Sequence, residues 1–293
     1  MASRPITVGT YNVNNLFDRF DDPYSYSDDT WSPRATKAKD LDQLFQLGQR
    51  LREDEPDVLS LQEVEDKGVL YEFNVSQLGR HFKDLALIPG NDPRGIDVAL
   101  ASTLPLGQVV SYQFIRDKDT GRKLFSRDLL EVEVMHPDNP YQRLFTIFVN
   151  HFKSKFIDPK VKSADRPAAT AENDRLRWKQ ASAVAQIVKA RFPNPNDFFI
   201  IAGDFNDTPD AATLAPLLRD PQLRLFNVLD LVQDTSKRWT HYWKKENQYS
   251  QLDYLLLSPA LAQYIVPGSV QVVQKGYIGG SDHRPVYVKL QLF

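Results

Sequence analysis

Short apolar runs that stop on polar residues recur along the chain. Residues 6–11 alternate apolar and polar positions and then meet Asn12, and residues 58–61 lead into Gln62 and Glu63. Residues 144–149 run into Asn150 and His151, and residues 198–202 into Gly203, Asp204, Phe205 and Asn206. Residues 96–101, 129–134, 252–257 and 286–292 read as further strands, with Asp253 near the start of the third. Alternation with period two, or short runs rich in β-branched and aromatic residues, predicts β-strands. Two stretches carry a helical period instead. Residues 37–53 place Leu41, Leu44, Phe45 and Leu51 on one face, and residues 172–192 place Leu176, Ala183, Ile187 and Ala190 on another. Both read as amphipathic helices. Residues 18–34 and 156–171 read as long polar loops, and loops of that length in a compact domain are often functional. No repeat or linker interrupts the pattern, so one domain over 1–293 is expected. Strands mixed with helices predict a layered α/β architecture.

Glu63, His151, Asp204 and Asn206 all follow apolar runs directly. A single polar strand end is ordinary. Four with metal-type or base-type chemistry point to a site, because strand ends gathered at one sheet edge commonly build one.

Composition narrows the classes. At 293 residues, with 42% hydrophobic and 25% charged residues, the chain has ordinary globular usage and can bury a substantial core. No apolar run reaches membrane-spanning length. The absence of Cys excludes disulfides, thiolate metal sites and Cys nucleophiles. The first residues lack the apolar core of a signal peptide, so either a cytoplasmic protein or the mature form of an exported one is expected. Formal net charge is −2, unlike a dedicated DNA-coating protein. The charge is uneven: residues 151–191 hold ten Lys/Arg against four Asp/Glu, and residues 17–31 hold five Asp against one Arg. The basic stretch reads either as solvated helix faces or as a rim for a phosphate backbone.

The sharpest chemical signal is Gly-Gly-Ser-Asp-His-Arg-Pro at 279–285. Its glycines allow close backbone approach, and adjacent Asp282 and His283 point different ways, one able to hold a metal and the other a proton. Asp253 sits inside an apolar strand pattern, where a carboxylate needs a partner. His283 would be a suitable one, fixing tautomer and basicity as Asp–His pairs do. Asp204 and Asn206, two apart, would face the same side of an extended segment.

In chain order, Tyr-Asn-Val-Asn at 11–14, Leu-Gln-Glu at 61–63, Asn-His at 150–151, Gly-Asp-Phe-Asn at 203–206, Leu-Asp-Tyr at 252–254 and Ser-Asp-His at 281–283 resemble the motif series of the endonuclease/exonuclease/phosphatase superfamily. The resemblance spans essentially the whole chain. It implies a four-layer α/β/β/α sandwich of two mixed sheets flanked by helices. It implies that Glu63 is the principal metal ligand, with Asn12 and Asp282 nearby. Asp204 and Asn206 would contact the scissile phosphate and attacking water, and His283 with Asp253 would form the acid/base pair. His151 is similar to a second site histidine of the deoxyribonuclease-like branch, and Arg127 to a phosphate-contacting arginine there. Asn14 stands where abasic-site repair members often carry a carboxylate. Leu-Asp-Tyr stands where inositol phosphatases have Cys-Asp-Arg. Asn14, with His151 where those repair members usually lack histidine, moves the reading toward a general nuclease or phosphodiesterase, and Leu-Asp-Tyr lowers the inositol-phosphate reading.

An all-oxygen ligand set suits Mg2+, with Mn2+ able to substitute. The leading expectation is therefore a monomeric metal-dependent endonuclease acting on DNA or RNA, with no protein partner. A phosphatase or phosphodiesterase for lipid headgroups, nucleotides or other small esters is the alternative enzyme. A catalytically silent binding module is a third reading, opposed by the intact residue set. Asp97 is a candidate partner for His151.

Overall fold

The computed structural model describes residues 4–18, 38–276 and 279–292. Most of the Asp-rich stretch at 18–34, with its aromatic residues, lies outside them, as does Lys37 at the expected start of the first helix.

Among the described residues the chain runs through β1 (Ile6–Leu16), α1 (Leu41–Asp54), β2 (Val58–Val64), α2 (Lys67–Ser76), β3 (Asp84–Leu87), β4 (Asp97–Ser102) and β5 (Leu106–Ser111). It continues through β6 (Leu129–His136), β7 (Asn139–His151), α3 (Arg166–Arg191), β8 (Phe199–Asp204), α4 (Ala215–Leu218) and β9 (Phe226–Asn227). The last elements are β10 (His241–Trp243), β11 (Gln248–Ser250), β12 (Asp253–Leu257), α5 (Pro259–Ala262), β13 (Gln271–Val272) and β14 (Val286–Leu290). Two mixed six-stranded sheets form, in the orders β13-β14-β1-β2-β4-β3 and β5-β6-β7-β8-β12-β9. A separate hairpin pairs β10 with β11.

Three apolar clusters define four layers. Val8, Val98 and Val288 of the first sheet meet Ile147, Ile200 and Leu255 of the second, filling the space between them. Leu47 and Leu51 of α1, with Leu70 and Phe73 of α2, cover the outer face of the first sheet against Leu59 and Leu61. Val184 and Val188 of α3 cover the outer face of the second against Phe148 and Ile201. This is the expected α/β/β/α sandwich.

Both long helices differ in detail from the sequence expectation. Helix α1 starts at Leu41 because Asp40 caps it, accepting the Gln43 amide while the Gln43 side chain returns to the Asp40 amide; such a capping box satisfies two orphan donors. Its inner face is Leu47, Gly48, Arg50 and Leu51, whereas Leu41 and Phe45 are exposed. Helix α3 starts at Arg166, so the second expected loop is partly helical. Its inner face carries Arg177 and Gln180 beside Ala181, Val184 and Val188. Buried polar residues on that face displaced the apolar stripe by about one position, leaving Ala183 and Ile187 at its margin.

Strand periodicity places the chemistry. Val8 faces the inter-sheet core, and Asn12 lies on the same side four residues on. Ile147 and Val149 lead to His151 in this way, Ile200 and Ala202 to Asp204, and Asp253 precedes Leu255 and Leu257. Pairing aligns three of them: His151 stands opposite Asp204 across β7–β8, and Asp204 opposite Asp253 across β8–β12. The inter-sheet core therefore ends in a polar cluster at one mouth of the sandwich.

Candidate active site

The centre of this cluster is Asp204. Its Oδ1 accepts the Asn206 amide at 2.8 Å, and its Oδ2 accepts Asn12 Nδ2 at 3.0 Å. His151 Nε2 lies 3.5 Å from Oδ2 and His283 Nε2 lies 3.7 Å from it. Asp204 is almost fully buried. Burial raises its pKa to about 7, helped by Asp253 and opposed by His283.

Asp253 and His283 form the expected pair, with 2.7 Å between Oδ2 and Nδ1. Asp253 is held at its amide by Thr240 Oγ1 at 3.0 Å. Burial works against charge on His283, but Asp253 and Asp204 outweigh it and push its pKa up to about 10. His283 is thus a stable imidazolium whose Nε2 proton faces Asp204. His151 is the opposite case: burial, then Arg127, Arg94 and His283, drive its pKa well below the ordinary value. The two histidines flank one carboxylate, one charged and one neutral. Asp97 is not the partner of His151. Its Oδ1 accepts the Gly90 amide at 2.7 Å, and His151 Nδ1 has no hydrogen-bond partner among the described residues.

Glu63 is set by backbone. The β1–β2 and β2–β4 registers both shift near it, and its φ is 65°, the left-handed conformation of a bulge. The bulge turns its side chain out of the strand alternation. There Glu63 Oε1 lies 3.3 Å from Asn12 Nδ2 and 3.9 Å from His151 Nε2. Asn12 therefore turns its nitrogen, not its oxygen, to Glu63 and Asp204, because two neighbouring carboxylates need a donor between them. Its Oδ1 accepts the Asn14 amide at 2.9 Å.

Asp282 Oδ1 accepts Asn14 Nδ2 at 2.9 Å, and its Oδ2 lies 3.5 Å from His241 Nε2. Partial burial opposes its ionisation, but the His241 hydrogen bond and the His283 charge prevail and hold its pKa at about 2. The turn before it packs tightly: Gly280 has φ 86°, and a Cβ there would meet the Gln43 carbonyl oxygen at 2.6 Å. Ser281 Oγ donates to the Asn12 carbonyl at 2.7 Å and accepts the His283 amide at 3.0 Å, so one hydroxyl ties the turn to β1.

Asn206 and Arg127 differ from expectation. The chain turns at Asn206, whose φ is 54°, so Asp204 and Asn206 do not share an extended segment. Asn206 Nδ2 donates to the Phe152 carbonyl at 3.0 Å. Arg127 is buried, with Nε 2.8 Å from Asp92 Oδ2 and Nη1 3.2 Å from the same Phe152 carbonyl. It braces the site from behind.

Lys39 and His241 escaped the sequence reading. Lys39 is buried, donates to the Asn14 carbonyl at 2.5 Å and to the Gly280 carbonyl, and lies within the fields of Glu63 and Asp282. Burial lowers its pKa to about 8. The His241 ring packs 4.7 Å from that of His283. Neither stands on a strand that ends in an obvious motif; a lysine in a polar run and one of five histidines carry no local signal.

The donor set fits a divalent cation. Asp282 stays ionised, Glu63 keeps only long contacts, with Asn12 and His151, among the described residues, and both share the field of one cationic side chain. Mixed groups also bring ligand atoms within 4.8 Å of one another: Asp204, Asp253 and His283, and His241, Asp282 and His283.

Comparison with known proteins gives the family and the fold. The model of the Endonuclease/Exonuclease/phosphatase family matches residues 9–283. No curated protein matches the chain significantly. Among solved structures, the catalytic domain of human Nocturnin with a bound sulfate superposes with TM-score 0.63 at 18% identity, covering 99% of this chain and 95% of that one. Humanized D. rerio TDP2 gives 0.62 at 17% identity, covering 98% and 99%. An AP endonuclease from Archaeoglobus fulgidus gives 0.62 at 15% identity, covering 97% and 99%. At these identities the likeness is one of fold.

Proposed function

From the premise that the chain belongs to the Endonuclease/Exonuclease/phosphatase family, we propose that it is a magnesium-dependent endonuclease hydrolysing phosphodiester bonds of DNA or RNA by in-line attack of water. The observation that carries this reading is the Asp253–His283–Asp204 arrangement beside the acids Glu63 and Asp282. It juxtaposes a charged proton donor, a carboxylate able to take a proton, and oxygen ligands for a hard cation.

Each side chain has a distinct task. Asp204, pushed up to about 7 by burial, accepts the proton of the attacking water near neutral pH. Asn206, on the turn beside it, orients that water and the phosphate. His283, held by Asp253, keeps an Nε2 proton that stabilises charge on a phosphoryl oxygen. His151 stays neutral beside Glu63 and Asp204. Glu63 and Asp282 would hold Mg2+, with Asn12 bridging Glu63 to Asp204. When bound, the ion supplies Lewis-acid stabilisation of the transferring phosphoryl group. Proton transfer contributes about 10²–10⁴ in rate, so electrostatic stabilisation must carry much of the remainder.

The nucleic-acid substrate is supported by the neutral second histidine and by the basic stretch after β7. Another structure of D. rerio TDP2 holds a single strand DNA product. No described helix is long and apolar enough to cross a membrane. Supercoiled plasmid tests the reading. Magnesium-dependent nicking that falls steeply with salt is expected. Hydrolysis of small phosphate esters without cleavage of DNA or RNA would replace it with a small-ester phosphodiesterase.

A further inference from the structure

Beside His151 lie two cations that the reaction described above does not use. Arg94 is half exposed. Its Nε lies 3.1 Å from Asp92 Oδ1 and its Nη2 3.2 Å from Asp92 Oδ2, while Nη1 donates to nothing among the described residues. Lys153, two residues past His151, is half-buried, and its ammonium has no carboxylate partner among the described residues. Lys155, by contrast, is paired with Asp207 at 2.5 Å.

The placement of Arg94 is built. Asp92, itself nearly buried, receives Arg94 on one side and the buried Arg127 on the other. Arg127 reaches the Phe152 carbonyl, and the same carbonyl accepts Asn206 Nδ2. A continuous chain of ion pairs and hydrogen bonds thus ties the guanidinium of Arg94 to Asn206, two residues from Asp204. Arg94, Arg127 and Lys153 are close enough to repel one another, and Arg94 also feels Glu63. Three cations stand around one carboxylate, two of them, Arg127 and Arg94, helping to keep His151 neutral, and the half-exposed Arg94 brings positive charge to the rim. Held like charges of this kind favour an anion between them, and a guanidinium already fixed through two of its nitrogens loses little freedom on binding one.

We propose that Arg94 and Lys153 form a second phosphate subsite on the His151 side of the scissile position. The protein then favours substrates carrying a further phosphate next to the ester it cuts, as a polynucleotide does. This deepens the nuclease reading and rests on it for the identity of the substrate. Arg127 serves it as a positioning residue, through Asp92.

The test compares two inhibitors of hydrolysis of a chromogenic phosphodiester: a thymidine dinucleotide with a 5′-phosphate and the same dinucleotide without it. In the unaltered protein the extra phosphate is expected to strengthen inhibition about tenfold, as a charge-assisted contact would. Arg94→Gln and Lys153→Gln are each expected to remove most of that advantage, and Arg94→Lys to keep part of it. Turnover of the single-phosphate chromogen should stay within about twofold. If the variants keep the full advantage, or the unaltered protein shows none, the subsite does not exist. A loss of chromogen turnover equal to the loss of inhibition would also overturn it, by making Arg94 part of the general scaffold. Plasmid cleavage is read separately: its absence would end the nuclease reading without changing the inhibition result.

Discussion

His283 Nδ1 meets Asp253 Oδ2 at 2.7 Å, at the mouth of the inter-sheet core where Asp253 has no solvent exposure. A buried carboxylate in that place fixes which imidazole nitrogen carries the proton shared with it and leaves Nε2 for Asp204 and substrate. His283→Ala is therefore expected to lower kcat by at least ~10³ and Asp253→Asn by about 10²–10⁴. Initial rates on a chromogenic phosphodiester, alongside near-UV circular dichroism to confirm folding, check this. A folded His283→Ala protein with ordinary turnover would remove the mechanism.

In the proposed reading the two acids beside Lys39 would hold the metal ion. EDTA should abolish turnover and added Mg2+ restore it. Glu63→Gln should raise the Mg2+ concentration for half-maximal rate by about tenfold or more, because one anionic ligand oxygen is lost. The same variant should weaken the rise in Tm that Mg2+ gives the unaltered protein. An unchanged Mg2+ titration by both readouts would show that Glu63 does not hold the ion.

Gly203 is held by both its backbone conformation and its neighbour. Its φ is 134°, and an added Cβ would stand 1.9 Å from the Asn150 carbonyl oxygen on the neighbouring strand. Strain and overpacking together predict that Gly203→Ala costs about 2–4 kcal/mol. Urea denaturation measures it, and an unchanged midpoint would contradict the steric argument.

Asp97 supplies a pH signature of stability. Burial, and then the neighbouring acids Asp128, Asp92 and Asp66, push its pKa from 3.8 to about 7 in spite of the Gly90 amide. A carboxyl group raised on folding favours the proton-bound folded state. Its contribution is complete below about pH 4 and is lost progressively as pH rises through about 7. Asp97→Asn should therefore gain stability relative to the unaltered protein between pH 5 and 8, on the order of 2–4 kcal/mol at the upper end. Parallel pH-dependent melts test the sign. A difference that shrinks with rising pH would refute it.

Legibility in the sequence followed the range of the interactions. Strands ending at His151 and Asp204 were readable because an apolar run and its polar terminus are local, whereas β1 runs on past Asn12 to Leu16. The Asp253–His283 pairing was readable because a carboxylate in an apolar strand demands a partner. The inner faces of α1 and α3 were misread where polar side chains, Arg50 in the one and Arg177 and Gln180 in the other, are buried by partners far away in sequence. Arg127 was read as a substrate contact from its neighbours in sequence, yet Asp92 and Phe152 occupy its guanidinium.

Period-two alternation and the order of the motifs are properties of the chain itself: the alternation determined the strands, the layered α/β class and the acids and histidines at the strand ends, and the motif order carried the family resemblance that implied two sheets. That Asn12 turns its amide nitrogen to both carboxylates, how a bulge at Glu63 turns it out of its strand, and that Lys39 and His241 join the site were decided by tertiary structure. Those outcomes depend on strand register and on turns packed against a distant helix, and a side chain's charge and exposure follow from neighbours that the local sequence does not contain.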